Sequence, residues 1–197
     1  MRRLTTQYLL TCAVIGVAGA ALLAPANWLS TVLFATVPFV SVGLAGLWLM
    51  PAVIGMRLLQ RPGTALLVGL VSGLATAPFS GYGLMSVATN VWWAFFVEIG
   101  FLVVAYRWFR VWQYYLGAVV VGVAYPFLAS ASFGLDQFEP VAVVLFSALT
   151  LVSAVASVAL GLAIAKAARR AGVGPPAFQW RRDRVAAQPE PAVAPVD

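Results

Sequence analysis

The chain has 197 residues, 62% of them hydrophobic and only 9% charged, and its mean hydropathy is +0.95. This composition excludes an ordinary soluble domain, because the chain has too few polar side chains to cover a surface in water. The net charge of +6 is divided among small basic clusters between apolar runs, which is typical of membrane topology rather than of nucleic-acid binding.

Length and charge together predict an all-α membrane protein, a bundle of about six transmembrane helices. Every basic residue falls into one of four clusters: Arg2 and Arg3; Arg57 and Arg61; Arg107 and Arg110; then Lys166, Arg169, Arg170, Arg181, Arg182 and Arg184. Because basic loops stay in the cytoplasm, the chain must cross the membrane an even number of times between successive clusters. Two crossings in each interval predict a multi-pass protein of the cell membrane with both termini in the cytoplasm.

The first interval predicts a helix over 6–23, an outer turn over 24–28 and a return helix over 29–56. Pro38 and Pro51 are the expected places for a kink, and the sequence leaves open whether the return segment is one helix or a broken one.

The second interval predicts a helix over 65–77, a turn over 78–83 rich in Gly and Pro, and a return helix that carries Glu98 and extends to residue 105. The third interval predicts a helix from residue 111, an outer turn over 132–140 and a final helix over 141–165. Residues 1–171 are therefore interpreted as one transmembrane domain, and the Pro- and Ala-rich residues 172–197 as a disordered cytoplasmic tail.

Glu98 is the leading candidate for a functional residue. A regular helix would place it about 13 Å from its basic end, near the middle of the membrane. An acid at that depth is costly unless it meets a partner, a cavity or a ligand. Two interpretations stay open: Glu98 binds a substrate that enters from outside, or it joins two helices by hydrogen bonds.

Other candidates for substrate contact lie on the same helix or near the predicted outer helix ends. Asn90 lies two turns outward from Glu98, and Trp93 belongs to a pair with Trp92 that is interpreted either as an interfacial belt or as stacking partners. The candidates at the outer ends are Asn27, Trp28, Tyr82 and Tyr125.

Small residues recur every four positions on the first helix. Cys12, Gly16, Ala20 and Ala24 form a stripe that would let another helix approach closely, either inside the protein or from a partner. With one Cys and no His, no metal site or cofactor is predicted. One buried carboxylate also provides too little for acid/base catalysis, so an enzyme is not expected.

Several segments together resemble a known family. YLLTCAVIGVAGA, APANWLS, GLWLMPAVIG, PFSGYG and TNVWWAFFVEIGFL, in this order, are similar to the YkoE-type substrate-binding S components of energy-coupling factor (ECF) transporters, over residues 5–171. The resemblance implies a membrane subunit that captures hydroxymethylpyrimidine or thiamine from outside. It implies as partners a transmembrane coupling subunit and two ATPases, which would hydrolyse ATP; this chain has no phosphate-binding loop of its own.

The resemblance also implies residue roles. Glu98 resembles the glutamate with which related thiamine-binding S components hold the aminopyrimidine, and the stripe from Cys12 to Ala24 resembles their docking surface for the coupling subunit. Other S components take riboflavin, biotin or cobalt-related substrates, so these remain alternatives. A membrane scaffold subunit with a structural acid is the alternative from a different class.

Overall fold

The computed structural model describes residues 6–133 and 139–173, and this part of the chain is helical. The α-helices are α1 Thr6–Thr36, α2 Pro38–Gly43, α3 Met50–Leu59, α4 Thr64–Thr76, α5 Met85–Leu102, α6 Val111–Phe133 and α7 Pro140–Arg170. Two 3₁₀ helices, Ala45–Leu49 and Ala77–Phe79, precede α3 and follow α4. The predicted tail from residue 174 onward, and most of the predicted turn between α6 and α7, lie outside the described residues.

Five helical segments among the described residues are long and apolar enough to cross a membrane: Thr6–Phe34, Phe39–Leu59, Met85–Leu102, Val111–Ala129 and Pro140–Arg170. The segment Thr64–Phe79 is apolar but shorter than a standard span. The all-helical membrane class is confirmed, whereas the count of six spans and the cytoplasmic position of the termini stay predictions.

The first predicted turn is wrong. Residues 24–28 continue α1, which runs to Thr36 with Pro25 inside it. Proline removes one backbone donor, but apolar helices in membranes tolerate it because neighbouring groups satisfy the freed carbonyl. The chain therefore reverses near Val37, about two turns later than expected.

The return segment is broken rather than continuous. Pro38 begins α2, Pro51 lies in the first turn of α3, and the 3₁₀ helix separates the two. At the break, the Ser153 hydroxyl of α7 donates to the Gly43 carbonyl (2.6 Å) and accepts from the Gly46 N–H (2.9 Å). A Cβ on Gly46 would collide with the Ser153 backbone, so this glycine permits the close approach.

Helix α4 packs between α1 and α5. Its small residues permit this: a Cβ added to Gly69 would lie 2.5 Å from the Cβ of Ala94 on α5, and one added to Gly73 would lie 2.6 Å from the Cα of Val87. The main apolar core fills the space between α3, α5, α6 and α7, with fully buried Leu49, Val53, Phe101, Tyr114 and Val158.

Candidate functional site

A cavity of about 680 Å³ opens at one end of the bundle, among the second half of α1, the α2 region, the start of α5 and the second half of α6. It is lined by Asn27, Ser30, Phe34, Ser41, Val42, Ala45, Trp48, Tyr82, Met85, Ser86, Ala88, Thr89, Trp92, Trp93, Tyr125, Leu128 and Ala129. All of these side chains are neutral, so the described lining offers ring faces and hydrogen bonds rather than charge.

Aromatic rings form one wall of the cavity. The ring of Tyr125 on α6 lies 5.1 Å from the Trp93 ring and 6.1 Å from the Trp92 ring, between centroids, and Trp92 meets Trp93 edge to face at 5.2 Å. These contacts fix the orientation of the rings. A planar ligand can stack on such a wall without first ordering it.

Small polar side chains form another part of the lining. Thr89 donates from Oγ1 to the Met85 carbonyl (3.0 Å), and Ser86 Oγ donates to Ser80 Oγ (2.7 Å). The hydroxyls of Ser30 and Ser41 lie 3.0 Å apart. A hydroxyl oxygen that donates its proton to a neighbour keeps lone pairs that can accept from a ligand. The lining can therefore recognise donor groups on a bound molecule.

The structure brings four of the predicted substrate residues to this cavity: Asn27, Tyr82, Trp93 and Tyr125. It does not bring Asn90 or Trp28 there. Asn90 is buried against α4 and donates to the Ser86 carbonyl (2.8 Å). The exposed Trp28 donates from Nε1 to the Phe79 carbonyl (2.7 Å), which joins α1 to the connection between α4 and α5.

Glu98 is also absent from the cavity lining and lies at the other end of α5. The helix ends at Leu102 rather than near residue 105, so Glu98 lies one turn from the helix end. Its carboxylate accepts from the N–H of Gly63 (Oε1, 2.6 Å) and of Ala65 (Oε2, 3.0 Å), at the start of α4. These contacts match the second interpretation of the sequence, in which Glu98 joins two helices by hydrogen bonds, and a substrate role for this acid stays a prediction.

The reason for this arrangement is the unsatisfied N-terminus of α4. Gly63, the residue before the helix, has φ +77°, and no side chain of the preceding connection caps the first turn. Free N–H groups and the helix dipole favour a carboxylate at that position. Glu98 of the neighbouring helix α5 supplies this carboxylate, and its side chain is only 3% exposed.

Tyr106 completes the contacts of Glu98. Its hydroxyl donates to Oε1 (2.7 Å) from the connection between α5 and α6. Burial and this hydrogen bond to a carboxylate both raise the pKa of the Tyr106 phenol above its usual value, so the phenol stays a donor at neutral pH. We call Glu98 with Gly63, Ala65 and Tyr106 the carboxylate clamp.

The small-residue stripe on α1 is internal. Cys12 and Ala20 are buried, and Ala24 is partly buried. A Cβ added to Gly16 would lie 2.7 Å from Val71 of α4. In this structure the stripe therefore packs helices within the chain, and the docking role that the resemblance implies stays a prediction.

Several lining residues were not predicted from the sequence, among them Trp48, Trp92, Ser41, Ser86 and Thr89. For Trp92 the sequence left open an interfacial belt or stacking; its ring lies 6.1 Å from the Tyr125 ring, between centroids, and the residue lines the cavity. Ser86 and Thr89 follow a usable signal, since hydroxyls spaced three residues apart at a helix start share one face.

The described basic residues gather at the end of the bundle away from the cavity. Arg57 lies in the last turn of α3, Arg169 and Arg170 lie in the last turn of α7, and Arg107 and Arg110 lie between α5 and α6. The cavity and the basic end are thus separated along the helix axes.

Residues 7–124 match the family described as "ABC-type cobalt transport system, permease component". The fold is similar to a crystal structure of an S-component of an ECF transporter, with TM-score 0.81, 18% sequence identity, and coverage of 94% of this chain and 97% of that one. No curated protein sequence gives a significant match.

Proposed function

Because the chain belongs to the family of permease components of ABC-type cobalt transport systems, we propose that it is the substrate-binding membrane subunit of an ECF-type importer. The observation that supports this most strongly is the neutral aromatic cavity at one end of the bundle. A pocket with ring walls and a few polar groups is the usual form of a site for a small organic ligand.

The position of the cavity supports capture from outside. Basic residues gather at the opposite end, and basic connections stay on the cytoplasmic side. With that end in the cytoplasm, the cavity opens outward. The proposed partners are a transmembrane coupling subunit and two ATPases that drive release to the inside.

The chemistry of the lining favours an uncharged planar ligand. Hydroxymethylpyrimidine is neutral and carries donors and acceptors that Asn27, Ser41 and Thr89 could meet while its ring stacks on the tryptophans. Thiamine, a cation, is the second ligand proposed, since ring faces attract cations. Riboflavin, biotin and cobalt-related compounds remain alternative substrates, and their binding can be compared with that of the pyrimidine compounds.

The lining does not favour a bare cobalt ion, although the family description names cobalt. Cobalt binds imidazole, carboxylate or thiolate ligands. The chain has no His, and the described residues hold no group of three Cys, Asp or Glu side chains placed to bind a metal.

The decisive measurement is thermal stabilisation of the detergent-purified protein by hydroxymethylpyrimidine and thiamine, with riboflavin, biotin and Co²⁺ beside them. We expect the pyrimidine compounds to raise the melting temperature. Trp92→Leu should weaken their binding about ten-fold or more, because one stacked ring contributes about 1–3 kcal/mol.

Trp108→Leu is the matched control, since Trp108 is an exposed tryptophan of the connection between α5 and α6 at the basic end. It should leave binding unchanged. A folded parent protein that none of the compounds stabilises would contradict the capture function and favour the scaffold alternative. The clamp of Glu98 is consistent with that alternative, because it gives the acid a structural role.

A further inference from the structure

A second cavity, of about 730 Å³, lies at the basic end between α3, α6 and α7. It is lined by Arg57, Val111, Leu162, Ala163, Lys166, Arg169 and Arg170. We call it the basic pocket. It lies at the end opposite the aromatic cavity and plays no part in the function proposed above.

Four cationic side chains converge in the basic pocket, and none of the described residues that line it is acidic. Arg57 of α3 and Arg169 of α7 are both partly buried and lie close enough to repel each other. The acidic residues in the described part of the chain lie elsewhere: Glu98 is in the carboxylate clamp, and Glu139 precedes the far end of α7. Convergence of like charges from two helices costs free energy unless an anion lies between them.

A buried hydroxyl adjoins the same arginines. Tyr114 of α6 has a fully buried side chain, its hydroxyl makes no hydrogen bond of standard geometry with described residues, and it lies within electrostatic range of Arg57 and Arg169. Tyr114 does not itself line the basic pocket, but its hydroxyl places a further polar group beside the converging arginines.

The pocket changes from basic to apolar along α7. Leu162 precedes Lys166 by four residues and Arg169 by seven, so the three share a helix face, with the leucine on the membrane side of the charges. Ala163 and Val111 add apolar surface beside it. The cations can bind an anionic headgroup, and the apolar strip formed by Leu162, Ala163 and Val111 can contact the hydrocarbon chain of the same molecule.

We propose that the basic pocket binds an anionic phospholipid, with the phosphate between Arg57 and Arg169 and an acyl chain along Leu162. Arginine suits this role because its planar group holds phosphate oxygens by two hydrogen bonds. Basic pockets between helices on the cytoplasmic side are a recurrent form of lipid headgroup site. A free phosphate would use the arginines but not the apolar strip.

The test uses the full-length chain in detergent, with palmitoyl-oleoyl phosphatidylglycerol as the probe. Native mass spectrometry counts bound lipid, and the melting temperature is followed during titration. We expect one tightly retained phosphatidylglycerol, and binding about thirty-fold weaker in Arg57→Gln/Arg169→Gln, since two basic contacts are lost. Phosphatidylcholine with the same chains should not be retained.

Arg107→Gln/Arg110→Gln is the matched control. It removes the same charge at the same end of the bundle, from residues that do not line the basic pocket. Equal loss of lipid in this control, or unchanged binding in the pocket variant, would overturn the proposal. So would inorganic phosphate stabilising the protein as much as the lipid at equal concentration.

A further variant distinguishes loss of the phosphate contacts from misfolding. Arg57→Lys/Arg169→Lys keeps the charge but loses the two-pronged hydrogen bonds, and should bind lipid more weakly than the parent while melting at a similar temperature without lipid. Lipid binding equal to that of the parent would contradict the assigned phosphate contacts.

Discussion

The two ends of α5 carry polar groups of opposite kinds. At the basic end, the Glu98 carboxylate accepts hydrogen bonds from Gly63, Ala65 and Tyr106. At the other end, Ser86 and Thr89 bond to neighbouring groups yet face an open cavity. The buried carboxylate therefore stabilises the packing of two helices, whereas the neutral hydroxyls beside aromatic rings form the surface open to a ligand.

The largest effect should follow removal of the carboxylate. Glu98→Ala leaves the donors of Gly63, Ala65 and Tyr106 without their acceptor, and we expect a loss of about 3 kcal/mol in the free energy of unfolding. The melting temperature in detergent and resistance to sodium dodecyl sulfate measure it.

Glu139→Ala is the matched control, because Glu139 is exposed at the far end of α7 and should change stability little. If Glu98→Ala instead melted like the parent and lost only ligand binding, the structural role of the clamp would be wrong and the substrate role predicted from the sequence would return.

A smaller effect should follow loss of one clamp contact. Tyr106→Phe removes a single hydrogen bond to the carboxylate, and should cost about 1.5 kcal/mol. The pKa of this phenol is raised above its ordinary value of 10.0, so its contribution to stability is complete below about pH 10 and is lost as the pH rises further. The difference in melting temperature between parent and variant should therefore shrink above that pH; a difference that is constant into strong alkali would contradict the contact.

The smallest change in stability should follow a substitution in the lining of the aromatic cavity. Thr89→Val keeps the shape of the side chain and removes a hydroxyl that bonds within its own helix. We expect less than about 0.5 kcal/mol of destabilisation but about five-fold weaker ligand binding, since one neutral hydrogen bond contributes about 1 kcal/mol. Titration by thermal shift measures both. A large loss of stability with unchanged ligand affinity would contradict the assignment of the cavity hydroxyls to ligand binding rather than to stability.

Two helix boundaries could be predicted from local signals. The basic pair Arg57 and Arg61 marks the connection before α4, which begins within a residue of its predicted start. Val111 begins α6 as predicted. The turn predicted at Pro25 was wrong, because proline interrupts an apolar membrane helix less readily than a helix exposed to water.

The sequence by itself determined the class of this protein: a chain with so much apolar surface and so little charge must place its helices in a membrane. It also determined that Glu98 needs a partner, since a buried carboxylate is unstable alone. Only the tertiary structure decided which partner it has. Helical periodicity gives the face on which a side chain lies, but the neighbour on that face depends on where α5 ends and on how closely the glycines of α4 let it approach.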